Sequence, residues 1–173
     1  MKKILTFALV LALSLTVLAG CSGNGAQTSD KTPEELTQIY SDAITQNGGE
    51  MAEVNPPITQ VSEDDPMSSM ILETLGLTQE DMSAFAISAS MMNVKAYGIA
   101  AVMPAEGKEE AVTQALQGYI DRQQQSFETY LVDQYEVAKN ARLETLKDGT
   151  VLMVMCEDQD TVFDGISSVI QGK

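Results

Sequence analysis

The chain has 173 residues, 44% hydrophobic and 20% charged, and its 25 acidic against 10 basic side chains give a formal net charge of −15. So strong a negative charge repels phosphates, which excludes nucleic acid as an expected partner and excludes adhesion to anionic lipid by electrostatics alone. Histidine is absent from the sequence, which removes the commonest general base at neutral pH, the commonest zinc ligand and every histidine-dependent nucleophilic triad.

In chain order the first element is a leader. Lys2 and Lys3 precede an apolar run from Ile4 to Leu18, and small residues follow, the layout of a secretory signal. The run is shorter than the roughly 20 residues that span a hydrocarbon core, and no basic stop-transfer cluster follows it. Leu18-Ala19-Gly20-Cys21 resembles the lipobox of bacterial lipoproteins. That resemblance implies cleavage after Gly20, a diacylglyceryl group on the sulfur of Cys21, and a chain held by lipid on the outer face of the cytoplasmic membrane. Two acyl chains anchor stably where one does not. The alternatives are an uncleaved transmembrane helix and an ordinary secretory signal with an incidental cysteine. Ser22 to Asp30 is small, polar and glycine-containing, so residues 21–31 are expected to form a lipidated, flexible tether.

Residues 32–173 are long enough for one domain and its core. Once Cys21 is lipidated only Cys156 is left, so no intramolecular disulfide is expected although the compartment would permit one. Thr32, Pro33 and Glu35 form a capping-box start to a helix carrying Leu36, Ile39, Tyr40, Ala43 and Ile44 on one face, and Asn47-Gly48-Gly49 stops it. Glu50 to Asp65 shows no sustained period and reads as mostly loop, with a short strand as the alternative. Pro66 opens a short helix with apolar Met67, Met70, Ile71 and Leu75, ended by Gly76, and Thr78 to Asp81 reads as one capped turn.

Two strand-like runs follow, Met82–Met92 and Tyr97–Met103, expected to form a hairpin. A long helix from about Lys108 presents Val112, Ala115, Leu116, Tyr119, Ile120, Phe127 and Leu131, with a break expected near Val132 and a short helical segment from Asp133 to Asn140. Leu143–Lys147 and Thr150–Cys156 flank Asp148-Gly149, a strong hairpin signal. The second of these strands is nearly all apolar and is therefore expected at the centre of a sheet. A last helix carries Val162, Phe163, Ile166, Val169 and Ile170, with Asp158 or Asp160 as its cap. The expected fold is α+β, an antiparallel sheet of about four strands in two hairpins against helices, in the order α-α-β-β-α-β-β-α.

Met91-Met92-Asn93-Val94-Lys95-Ala96, then Gln125-Ser126-Phe127-Glu128-Thr129-Tyr130-Leu131, then Asp148-Gly149-Thr150-Val151-Leu152 occur in the order seen in one bacterial lipoprotein family. Over residues 30–170 the chain resembles that family, known as domain of unknown function 4358. The resemblance implies a surface lipoprotein, favours a one-membrane bacterium, and brings no activity, ligand or catalytic residue. Tyr97 and Gly98 stand where members commonly carry acids, so no role of such acids transfers.

Several clusters invite chemical readings. Glu157-Asp158-Gln159-Asp160 with Asp164-Gly165 fails as an EF-hand, because the sixth residue from Asp158 is Phe163 where glycine is needed. Helix capping is the expected role, and Glu63-Asp64-Asp65 is expected to be a solvated loop. Cys156 is expected to be a small core residue, since nothing electropositive adjoins it in sequence. Lys95 is expected in a surface ion pair, with orientation of an acidic ligand as the alternative. The methionines are expected to fill core, and Met67/Met70 is the place to look for a soft-metal pair. No catalytic residue, cofactor or metal is assigned; the assigned site is lipidation at Cys21. The expected function is a lipid-anchored, non-enzymatic binding or interaction module for an unidentified envelope protein or small ligand. The alternative is a carboxylate-based cell-envelope hydrolase, which needs two acids converging in a concave pocket.

Overall fold

The computed structural model describes residues 31–62 and 64–173; the expected leader, Cys21, the tether through Asp30, and Glu63 lie outside the described residues. Helix α1 (Pro33–Asn47) starts on the capping box, with Thr32 Oγ1 accepting from the Glu35 N–H at 3.2 Å and Glu35 Oε2 accepting from the Thr32 N–H at 2.8 Å. It buries Leu36, Tyr40, Ala43 and Ile44. The expected loop after it contains a short helix, α2 (Gly49–Val54), which buries only Ala52. A helix of under two turns cannot display the 3.6-residue period by which it would be recognised. Ile58 then exchanges two backbone hydrogen bonds with Ile87, at 2.8 and 3.0 Å, so the chain partly covers a sheet edge.

Helix α3 (Pro66–Leu75) is capped by the Asp65 side chain, which accepts from the Met67 N–H at 3.1 Å, and ends at Gly76, whose φ of 77° is the left-handed conformation glycine adopts freely. Its buried face is not the one the methionines suggested. Ile71, Leu72 and Leu75 face inward with Ser68, whose hydroxyl donates to the Asp65 carbonyl at 2.7 Å, while Met67 and Met70 are each 49% exposed. The core role expected of the methionines holds for Met82, Met153 and Met155 and fails for Met67, Met70, Met91 and Met92.

Strands β1 (Met82–Ala89), β2 (Gly98–Pro104), β3 (Arg142–Thr145) and β4 (Val151–Met155) form one antiparallel sheet in the order β1-β2-β4-β3. Between the hairpins run α4 (Glu109–Phe127) and α5 (Val132–Lys139), and α6 (Gln159–Ile170) closes the order. The long helix ends earlier than expected, after Phe127, whose carbonyl accepts from the N–H groups of both Tyr130 and Leu131 in a tight reversal. With α2 and α5 as short additions, the order α-α-β-β-α-β-β-α is retained.

The interior strands β2 and β4 bury both faces, as the all-apolar run implied. Alternate residues feed two cores. Phe85, Ile87, Ala100, Val102, Met153 and Met155 meet α3, α4 and α5, whereas Ala84, Ala86, Ile99, Ala101, Leu152 and Val154 meet α1 and α6. Helix α1 is tied across its face by Tyr40, whose hydroxyl donates at 2.7 Å to Thr150 Oγ1, which donates at 3.0 Å to Asp148 Oδ2. On the opposite face the Tyr119 hydroxyl donates to the Tyr97 carbonyl at 3.1 Å.

That last contact explains Gly98. A Cβ there would lie 2.9 Å from Tyr119 Cε1 and 3.3 Å from Met153 Cε, both in fully buried side chains. Gly98→Ala is therefore expected to destabilise the domain by about 1–3 kcal/mol through overpacking. Urea denaturation checks this, and an unchanged midpoint would show that Tyr119 yields freely.

Candidate functional site

A cleft of about 380 Å³ opens at the end of the sheet where β1 finishes and β2 begins. Three segments converge on it: Lys95-Ala96-Tyr97 from the β1–β2 connection, Cys156-Glu157-Asp158 between β4 and α6, and Gly48-Gly49-Glu50 at the junction of α1 and α2. Gln134 contributes from the first turn of α5. The antiparallel register brings the first two together, because Gly98 pairs with Met155.

The β1–β2 connection is too long for a tight hairpin and needs an external support. Gln134 supplies it: though only 4% exposed, its Oε1 accepts from the Ala96 N–H at 2.9 Å while its Nε2 donates to Asp133 Oδ2 at 2.9 Å. Lys95 Nζ donates to Glu157 Oε1 at 2.7 Å, the surface ion pair expected of it. That hydrogen bond raises the ammonium's affinity for its proton; desolvation opposes it, and the charges of Glu157 and Asp133 add to the rise. Tyr97 hydroxyl donates to Ser88 Oγ at 2.7 Å, and Ser88 in turn donates to the Asn55 carbonyl.

Cys156 is buried in the wall, with 8% of its surface exposed. Burial pushes its thiol up to about 11, with the charges of Asp158 and Glu157 acting the same way and a backbone hydrogen bond from Asp158 opposing. It is protonated and inert at neutral pH.

The acidic segment 157–164 divides between two tasks. Glu157 and Asp158 line the cleft, but Asp160 and Asp164 turn to Arg142 Nη1 at 3.4 and 3.0 Å. Arg142 also binds Glu144 at 2.7 Å and lies 3.8 Å over the Phe163 ring. Asp158 occupies the N-cap position of α6 without a side-chain capping bond, so the capping role is met by position only. No group of three or more Cys, Asp or Glu side chains suited to a metal ion occurs among the described residues. Asp65 caps α3, and Asp64 is exposed.

Sequence reasoning singled out Lys95, Glu157, Asp158 and Cys156, which the fold brings together. It missed Gln134 and the Gly48–Glu50 wall. Gln134 lies in a short, weakly amphipathic helix where a polar residue gives no sign of burial, and the glycines read only as a helix stop.

Fold and site define an α+β domain with a polar cleft at one end of an antiparallel sheet. A family model described as Domain of unknown function (DUF4358) matches residues 59–156, more than half of the chain, and the chain belongs to that family. No curated protein and no solved structure matches it. The matched segment supplies Lys95, Tyr97, Gln134 and Cys156 to the cleft, whereas Gly48–Glu50, Glu157 and Asp158 lie beyond it.

Two outcomes follow from the buried ionisable groups. Cys156 in the folded chain is expected to resist maleimide at pH 7 and to react fully in urea, read by mass increase. Burial also pushes Tyr97 and Tyr119 up to about 12. Each of these groups has a higher pKa folded than unfolded, so the stability it confers is complete below the unfolded value and falls as pH rises from about 9 towards 12. Urea midpoints that do not drop between pH 8 and pH 11 would contradict these environments.

Proposed function

We propose that the chain is a lipid-anchored extracytoplasmic binding module, tethered through Cys21 and using the Lys95–Glu157 cleft as its ligand site. The cleft carries this reading. Its volume, about 380 Å³, falls in the range of small-ligand pockets, and it combines an apolar wall with a few fixed polar groups. Of those groups the Ala96 N–H is held by Gln134, Lys95 is paired with Glu157 at the exposed edge, and the thiol in the wall is protonated. Such a lining suits recognition better than bond-breaking.

The placement of α1 agrees with a tether. Pro33, Glu34 and Thr37 share a surface depression with Ser83 at the start of β1, whereas Gly48 at the other end of α1 lines the cleft. The tether thus joins the end of the domain opposite the ligand site. Among the described residues no helix is long and apolar enough to cross a membrane. For the hydrolase alternative, a general acid needs an upward shift. Asp81, hydrogen-bonded by Thr78 and Lys108, and Asp133, hydrogen-bonded by Gln134, are both held below the usual carboxylate range, and neither lines the cleft.

Two measurements test the proposal. Mass spectrometry of protein from native membranes is expected to find diacylglyceryl on an amino-terminal Cys21, and an intact leader or bare cysteine would remove the anchor. Dialysis of purified chain against a low-molecular-mass envelope extract, followed by mass spectrometry, is expected to retain a ligand with wild type and about tenfold less with Glu157→Lys, whose new charge opposes Lys95 and removes the carboxylate that pairs with it. Equal retention by both would remove the cleft from the proposal.

A further inference from the structure

Nine large apolar side chains are left exposed among the described residues, and five of them come from the β1–β2 connection and from the α4–α5 turn with the first residue of α5: Met91 (38%), Met92 (58%), Val94 (59%), Tyr130 (54%) and Val132 (67%). They come from two segments that hydrogen bonds hold side by side. The Tyr130 hydroxyl donates to the Asn93 carbonyl at 2.9 Å, and Gln134 accepts from the Ala96 N–H. Met92 and Val94 lie in the same short connection as Lys95, so this apolar rim is joined along the chain to a residue that lines the cleft.

Exposing so much apolar surface in one place forfeits burial at about 25 cal/mol per Å². Contiguous apolar surface rimmed by polar groups marks an interaction site. Resting on the binding role proposed above, we infer that this end of the domain docks a segment of another extracytoplasmic protein, one that combines apolar anchor side chains with a neighbouring basic residue. The apolar anchors settle on Met92, Val94 and Tyr130, and the basic side chain enters the cleft.

Charge selects this partner. The cleft presents Glu50, Glu157 and Asp158 against Lys95, which is already paired with Glu157, and the whole chain carries −15. A second copy meets the same negative field, and like-charge contact is unfavourable. The chain's own amino-terminal segment joins at the far end of α1, a 15-residue helix about 22 Å long. Residues 21–30 reach at most about 35 Å fully extended, which leaves little slack for a segment fixed to lipid at Cys21. The membrane surface lies at the tether end for the same reason.

The test uses the chain from residue 21 onward carrying Cys21→Ser, on an array of synthetic nonapeptides of three kinds. One kind joins two leucines or phenylalanines to a lysine or arginine within four residues, the second replaces the basic residue by glutamate, and the third replaces the apolar pair by serines. Binding is expected to the first kind alone and to fall at least tenfold with Met92→Ser/Val94→Ser, two exposed positions where the thermal midpoint should hold. Glu157→Gln is expected to narrow the difference between the lysine and glutamate peptides. Equal signal from glutamate peptides, equal signal from serine peptides, or no loss with the rim variant would each overturn the inference. So would flotation with uncharged phosphatidylcholine vesicles, or a dimer in sedimentation that the rim variant abolishes. Small-ligand retention by the rim variant separates the two proposals: retention without peptide binding leaves the cleft standing and removes only the docking partner.

Discussion

The central strands have no solvent-facing side, and that constraint organises everything else. Because β2 and β4 are apolar on both faces, the sheet is stable only with helices on each side. The face towards α1 carries Ala84, Ala86 and Ala101, whose small side chains let the helix lie close to the strands. This also bears on the family match at residues 59–156, which takes in α3, α4 and α5 but neither α1 nor α6. That segment alone would leave Ile99, Leu152 and Val154 uncovered, since their partners Tyr40, Ile44, Phe163 and Ile166 fall outside it. The physical unit extends beyond the recognisable one at both ends.

The same constraint explains where the cleft lies. With both faces of the sheet covered, the open positions are the strand ends, where irregular backbone must be supported by side chains. At the end holding Ala89, Gly98 and Met155, the support comes from Gln134 beneath Ala96, from Tyr119 beneath Tyr97, and from Ser88 beside the Tyr97 hydroxyl. These buried groups are all satisfied, and no buried side-chain polar atom among the described residues lacks a partner. The cleft floor is therefore rigid, while its charged edge, Lys95 and Glu157, is solvent-exposed.

How far the sequence revealed this depends on the length scale of each signal. Elements with several turns or a full alternating run were legible: the capping box of α1, the Asp148-Gly149 hairpin, and the central position of β4. The six-residue α2 and the end of α4 at Phe127 were not, because one is too short to show a period and the other follows from local backbone hydrogen bonds. The face of α3 was misjudged because methionine suits core and surface alike, whereas Ser68 is buried only through a hydrogen bond to its own turn. Lys95 and Glu157 lie far apart in sequence and meet only through the β2–β4 register, which no local pattern encodes. Gln134 was hidden for the same reason.

The ion pair at the cleft edge has a consequence for recognition. Exposed pairs of this kind contribute about 0–1 kcal/mol, since water screens both charges and side-chain entropy opposes the contact. A ligand that replaces Lys95 as the partner of Glu157 therefore displaces it at little cost, and the freed ammonium lies within the field of Asp133. The buried supports are different, because removing Gln134 would leave the buried Ala96 N–H without the acceptor it has in the fold. Exchange of partners is thus easy at the edge and hard at the floor, a division that lets a bound group reorganise the charges around it while the walls keep their shape.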